Sequence, residues 1–157
     1  LDGFDVIHAS PPCQSYSRAL RHLARAEPKL IEPLRERLLR AGVPYIIENV
    51  LGAPLIDPIM LCGTMFGLNI WRHRLFEIVG VEDIMVPACR HDGMPLNPWR
   101  TSSRRAWELK HGKEIAYEQL WRNEMGVTWM HKTEAREAIP PAFTECIGRA
   151  MIHAAVA

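Results

Sequence analysis

The stretch FDVIHASPPCQSYS, residues 4–17, sets how this chain begins to fold. Its first half, Phe4–Ser10, is a largely apolar run typical of a short β-strand. Pro11 and Pro12 end that strand, because proline lacks the backbone N–H that a sheet ladder needs. The turn presents Cys13 at the edge of a sheet, where nucleophiles lie in α/β enzymes. The alternative for a lone cysteine is a small buried packing residue.

A second strand with polar residues at its end follows. Residues 45–50, YIIENV, form an apolar run typical of a buried strand, and the run ends in Glu48 and Asn49. Because the carboxyl ends of parallel strands point into one crevice, we expect Glu48 to share a site with Cys13.

The segments between and after these strands favour the α/β class. Residues 32–40 have leucines on one side of a predicted helix, which Gly42 and Pro44 end. Strand, helix and strand then form a right-handed crossover in a parallel sheet. A further strand is predicted over Leu75–Val79, and a closing helix over Thr144–Ala155.

Two arginines precede the strand at Leu75. In residues 71–76, WRHRLF, cationic and other residues alternate. In extended structure Arg72 and Arg74 would face the same way, because side chains alternate across a strand. The pattern predicts a pair of cationic donors.

These three blocks, with residues 138–143 (AIPPAF) after them, resemble the DNA cytosine-5 methyltransferases, particularly their short phage-type members. The order Pro-Cys-Gln, Glu-Asn-Val, Arg-x-Arg and Ile-Pro-Pro is that of the family. The resemblance implies a Rossmann-like methyltransferase sheet, of which this chain holds the carboxyl-terminal portion, with a small target-recognition insert. The implied regions are a partial catalytic core over 1–79, a target-recognition region over 80–138 and a closing segment packed on the core over 139–157.

The resemblance also assigns roles to five residues. The Cys13 thiolate would add to carbon 6 of cytosine, and the resulting enamine would take a methyl group from S-adenosylmethionine at carbon 5. Glu48 would meet the ring at N3, and Arg74 would bind the O2 oxygen, where a fixed guanidinium opposes developing charge. Asn49 would brace the loop, and Arg72 would hold the site or the nearby backbone.

Double-stranded DNA with a flipped cytosine is the implied partner, because a stacked base cannot reach such a site. The segment 17–25 carries three arginines and a histidine and no acid, a pattern that attracts phosphates. The alternative is a solvated helix face. The residues predicted to contact DNA near the thiol are Gln14, Ser17, Arg18, Arg21 and Arg25.

A second basic segment lies in the predicted insert. Residues 95–113 hold five cations, two tryptophans and one acid, a mixture that suits phosphate binding and base stacking. Its predicted DNA contacts are Arg100, Arg104 and Arg105. An exposed loop anchored by the tryptophans is the alternative.

The implied cofactor, S-adenosylmethionine, has few predicted contacts. The family's Gly-rich cofactor loop has no counterpart in this sequence, so we expect a fragment that lacks the amino-terminal cofactor-binding part, with Pro12 as a cofactor-side contact. An inactive DNA-binding remnant is one alternative. A thymidylate-synthase-like nucleotide methyltransferase is another, although such enzymes usually have histidine at the position of Gln14.

Composition sets the remaining expectations. The 157 residues, 48% hydrophobic and 24% charged, fit one soluble domain, and a net charge of +1 leaves DNA binding to local clusters. No run approaches the roughly 18 apolar residues of a membrane span, so we expect a cytoplasmic monomer, in a bacterium or a phage-infected host, that contacts no membrane. The sequence predicts no metal site, because Cys89 and His91 have no second ligand pair at a suitable spacing. Cys62, Cys89 and Cys146 are interpreted as packing residues.

Overall fold

The computed structural model describes residues 3–17, 28–81, 84–91, 105–109 and 117–156. Its elements confirm the α/β class. They are β1 (Ile7–Ala9), α1 (Ile31–Ala41), β2 (Tyr45–Asn49), β3 (Ile59–Leu61), a 3-10 helix (Gly63–Phe66), β4 (Arg74–Val79), α2 (Tyr117–Met125), α3 (Lys132–Glu137) and α4 (Pro141–Val156). Residues 105–109 are also helical.

The four strands form one mixed sheet in the order β1-β2-β4-β3. β1 pairs with β2 in parallel, as the crossover pattern predicts, and Ala9 lies opposite Ile47. β2 pairs with β4 in antiparallel fashion, and Glu48 lies opposite Phe76. β1 and β2 therefore end at the same edge of the sheet.

Helix α1 covers one face of this sheet. Its last turn ends at Gly42, whose left-handed conformation (φ 69°) lets its N–H reach the Leu39 carbonyl. Leu38 is buried against Tyr45 and Ile47 of β2. The apolar stripe of α1 and alternate residues of β2 thus form a small core.

A buried ion pair joins this helix to the sheet. Arg35 of α1 donates two hydrogen bonds to the Glu77 carboxylate of β4, Nε to Oε1 at 2.8 Å and Nη2 to Oε2 at 2.7 Å. The Ile56 N–H and the Tyr45 hydroxyl also donate to Glu77, while Arg35 donates to the Pro54 carbonyl. Burial raises the pKa of Glu77, but these donors outweigh it, and the pKa lies below its ordinary value.

The described residues divide into two compact units. One comprises 1–60, 73–84 and 147–157, and the other 61–72 and 85–146. In the second unit, Trp121 and Met125 of α2 pack with Ile70, Val127 and Ala135 into an apolar core.

The last helix starts earlier than predicted. It begins at Pro141 rather than Thr144, because proline suits the first helical position, where its missing N–H would have no partner. Among the residues that the structure describes, no helix is both long enough and apolar enough to span a bilayer.

Removing one partner of the Arg35 and Glu77 pair should destabilise the protein strongly. The Glu77 side chain is only 3% exposed, so Arg35→Met leaves a buried carboxylate without its cation. We expect the free energy of unfolding to fall by about 3 kcal/mol in urea denaturation. Arg37→Met, an exposed position on the same helix, should change it by less than about 0.5 kcal/mol. Similar losses in both variants would contradict this assignment.

The same pair should make stability depend on acid pH. Because the folded pKa of Glu77 is lowered, the stability it contributes is present above its ordinary pKa of 4.5 and is lost as the pH falls through the folded value. The difference in unfolding free energy between wild type and Glu77→Gln should therefore be largest near neutral pH and shrink below 4.5. Denaturation at a series of pH values measures it, and a constant difference would refute the linkage.

Candidate active site

The end of β2 is tied to the Pro-Pro-Cys turn through Asn49. The buried Asn49 side chain donates from Nδ2 to the Pro11 carbonyl at 2.9 Å, and its Oδ1 accepts from the Val50 N–H at 3.0 Å. A single amide therefore closes the end of β2 and fixes the backbone two residues before Cys13. The bracing role of Asn49 stays a prediction.

The turn itself is built on the Cys13 carbonyl. That oxygen accepts from the N–H groups of Tyr16 at 3.0 Å and Ser17 at 2.9 Å. The Tyr16 side chain is buried, and its hydroxyl accepts from the Ile31 N–H at the start of α1, at 3.4 Å. The Cys13 side chain is half-buried. The turn is thus anchored on α1 and leaves the thiol partly accessible.

Glu48 and Arg74 form the charged pair of the site. Glu48 lies opposite Phe76, so Arg74, two residues before Phe76, is its diagonal neighbour on the same sheet face. The Arg74 Nε lies 2.9 Å from Glu48 Oε1, and Arg74 Nη1 donates to the His73 carbonyl at 2.9 Å. These contacts hold the guanidinium beside the carboxylate, on the sheet face opposite to α1.

His8 of β1 belongs to the same face. It lies opposite Ile46 in the parallel register, two residues from Glu48. Although part of the side chain is exposed, desolvation of the ring lowers the pKa of His8, and the Glu48 carboxylate raises it again only in part. The first unit thus holds a thiol turn, a carboxylate, a guanidinium and an imidazole of lowered pKa around the ends of β1 and β2.

Arg72 is held in a different way from Arg74. β4 begins only at Arg74, so the strand alternation expected from the sequence does not extend to Arg72. Within the second unit, the buried Arg72 donates from Nη2 to the carbonyls of Arg136 at 2.6 Å and Ala138 at 2.5 Å. Arg72 therefore holds the backbone at residues 136 and 138.

Only some of the residues predicted to contact DNA or the cofactor lie within the described residues. Pro12 and Gln14 are exposed beside the thiol, and Ser17 is half-buried. Arg105 is exposed on the helical residues 105–109. The remaining predicted DNA contacts, Arg18, Arg21, Arg25, Arg100 and Arg104, lie outside the described residues.

Cys62, Cys89 and His91 form another cluster. From the sequence, the two cysteines are interpreted as packing residues and His91 has no assigned role. Within the second unit, the ligand atoms of Cys62, Cys89 and His91 lie within 4.8 Å of one another. The sequence predicts no metal there, because Cys62 is far from Cys89 in the chain and belongs to no ligand pair. Only the fold brings the three together.

Chemically, the first unit combines a thiol with a carboxylate and a guanidinium, groups that are able to act in addition to an electron-poor ring. Comparison of the chain with protein-family models, with curated proteins and with solved structures gives no match.

The electrostatic interaction between His8 and Glu48 predicts a measurable pKa shift. Because the Glu48 carboxylate raises the pKa of His8, Glu48→Gln should lower that pKa further. An NMR titration of the His8 ring protons measures it. Glu36→Gln, an exposed position on α1, should leave the His8 pKa unchanged. An unchanged or higher pKa in Glu48→Gln would contradict the arrangement of this face.

Proposed function

We propose that this chain carries the catalytic residues of a DNA cytosine-5 methyltransferase. The observation that carries the proposal is the Glu48 and Arg74 ion pair at the end of β2, the same end to which Asn49 fixes the Pro-Pro-Cys turn. We also propose that the sheet belongs to a Rossmann-like methyltransferase fold.

The chemistry requires a thiolate and a stabilised ring. The Cys13 thiolate adds to carbon 6 of cytosine, forming a carbon–sulfur bond and an enamine whose carbon 5 attacks the methyl group of S-adenosylmethionine. S-adenosylhomocysteine leaves with the electron pair of the broken sulfur–methyl bond. Loss of the carbon 5 proton to a base then expels the thiolate and restores the aromatic ring.

The adjacency of Glu48 and Arg74 suits one edge of cytosine. N3 and O2 are neighbouring polar atoms of the ring, and both gain negative charge when the thiolate adds. A carboxyl group that hydrogen-bonds N3 and a guanidinium that binds O2 must therefore lie side by side. The 2.9 Å contact between Arg74 Nε and Glu48 Oε1 supplies such a pair.

The partner in this proposal is duplex DNA from which the target cytosine is flipped, since carbon 6 of a stacked base is inaccessible. Gln14 and Ser17, next to the thiol, would contact the opened strand. S-adenosylmethionine would approach from the side of Pro12. The Gly-rich cofactor loop of the family is absent from these residues, so a test must separate thiol addition from methyl transfer.

Covalent capture of DNA tests the thiol directly. A nitrogen at position 5 makes carbon 6 of 5-azacytosine more electrophilic, so a duplex pool containing it traps a thiolate without a methyl donor. We expect a denaturation-resistant adduct with the wild-type chain, none with Cys13→Ser, and an undiminished one with Cys146→Ser. Glu48→Gln should slow capture by about a hundredfold or more, because it removes the acid at N3.

Three results would contradict the proposal or favour one of its alternatives. An equal adduct with Cys13→Ser would refute the assigned nucleophile. Salt-sensitive DNA binding without any adduct would indicate a DNA-binding protein that transfers nothing. Faster capture of the free nucleotide than of the duplex would indicate the thymidylate-synthase-like alternative. A second arm, a 5-fluorocytosine duplex with S-adenosylmethionine, forms an adduct only if methyl transfer occurs.

A further inference from the structure

The cysteine and histidine cluster of the second unit is independent of the proposed active site. Cys62 directly follows β3, precedes the 3-10 helix and is fully buried. Cys89 and His91 belong to the segment 84–91, which carries no strand or helix. His91 Nε2 lies 3.0 Å from Cys89 Sγ and 3.5 Å from Cys62 Sγ. Three soft ligand atoms thus converge from two distant parts of the chain.

The spacing of these atoms fits a shared metal ion. Zinc binds cysteine sulfur at about 2.3 Å and histidine nitrogen at about 2.0 Å, so neighbouring ligand atoms of a tetrahedral site lie roughly 3.6 Å apart. The separation of 3.5 Å between His91 Nε2 and Cys62 Sγ is close to that value, and the 3.0 Å between His91 Nε2 and Cys89 Sγ is shorter. Sulfur and imidazole together favour zinc over magnesium or calcium, which prefer oxygen ligands.

The surroundings of the cluster orient these ligands. The Thr64 hydroxyl lies 3.4 Å from Cys62 Sγ and 3.9 Å from Cys89 Sγ, where it can donate to a thiolate. The indole of Trp71 stacks on the His91 ring, with centroids 4.3 Å apart and an interplanar angle of 22°. The stacking fixes the plane of an imidazole that is otherwise exposed.

The backbone beside Cys62 is tightly folded. A Cβ at Gly63 would collide with the Ile70 carbonyl oxygen, so only glycine fits there. The Gly63 carbonyl accepts from the Leu68 N–H at 3.0 Å, and the Cys62 carbonyl accepts from the Met65 N–H at 3.0 Å. Cys62 is therefore presented from a rigid turn.

We propose that Cys62, Cys89 and His91 bind a structural Zn²⁺ ion that fastens the segment 84–91 to the turn at 62–66. Two thiolates balance the charge of the ion, and binding releases the two thiol protons. A tetrahedral zinc ion takes four ligands, so these three side chains leave one coordination position for a further donor.

Metal content and cobalt spectroscopy test the site on the full chain. Protein purified under reducing conditions should hold about one zinc per chain. Replacement by cobalt should give the intense thiolate charge-transfer band and the visible bands of a tetrahedral site. Cys89→Ser and His91→Ala should weaken zinc binding at least a hundredfold in competition with a chelator. Cys146→Ser, another half-buried free cysteine, should bind as tightly as wild type.

Several results would overturn the proposal. One is wild-type protein that is purified without metal and takes up neither zinc nor cobalt. Another is Cys89→Ser or His91→Ala protein that binds zinc as tightly as wild type. The third is a Cys62–Cys89 disulfide under the purification conditions. Because His91 is exposed, its variant should fold normally, which circular dichroism checks. The cytosine-adduct experiment has a different readout, so failure of one proposal leaves the other standing.

Discussion

The bidentate contact between Arg35 and Glu77 is the constraint on which the first unit depends. It joins α1 to β4 and, through Tyr45 and the Ile56 N–H, also fixes β2 and the loop that follows. The antiparallel register sets Glu77 opposite Ile47 and Phe76 opposite Glu48. Because side chains alternate between the two faces of a sheet, Arg74 lies diagonally across from Glu48, on the face opposite to Glu77. A slip of one residue would move every side chain of β4 to the opposite face. The structural ion pair and the proposed catalytic pair are therefore fixed by one register.

The two carboxylates Glu48 and Glu77 of this sheet have different surroundings. Glu77 accepts from Arg35, Ile56 and Tyr45, which together hold it ionised against the cost of burial. The Tyr45 hydroxyl stays protonated as a donor, because burial and the neighbouring Glu77 charge raise the pKa of Tyr45. Glu48, by contrast, is in contact with Arg74 through Oε1 at the end of its strand. A carboxylate whose acceptor sites are occupied serves structure, whereas one at a strand end remains able to meet a ligand.

The sequence predicts the local elements of this fold better than its long-range contacts. Helix α1 and strand β2 are predicted within one residue, because an apolar stripe, Gly42 and a continuous apolar run are local signals. The antiparallel pairing of β4 follows from contacts with β2 that no periodicity encodes. Proximity of Cys62 to Cys89 and His91 is likewise decided by the fold, since no short ligand spacing links them. The sequence predicts that the candidate catalytic residues lie near the ends of strands. It does not predict which side chains contact one another there.

The two arginines of the Arg-x-Arg block show why spacing alone cannot assign a role. Arg74 lies inside β4, where the register sets it beside a carboxylate. Arg72 precedes the strand and donates to carbonyls at the end of α3, where Ala138 has left the helix (φ −60°, ψ 157°). The last carbonyls of a helix have no partner within it and carry partial negative charge, so a guanidinium satisfies both needs. Pro140 and Pro141, which follow, have no N–H to offer these carbonyls. Arg72 therefore fixes the backbone that leads into the Ile-Pro-Pro turn, whereas in the proposed function Arg74 is the arginine that binds the ring.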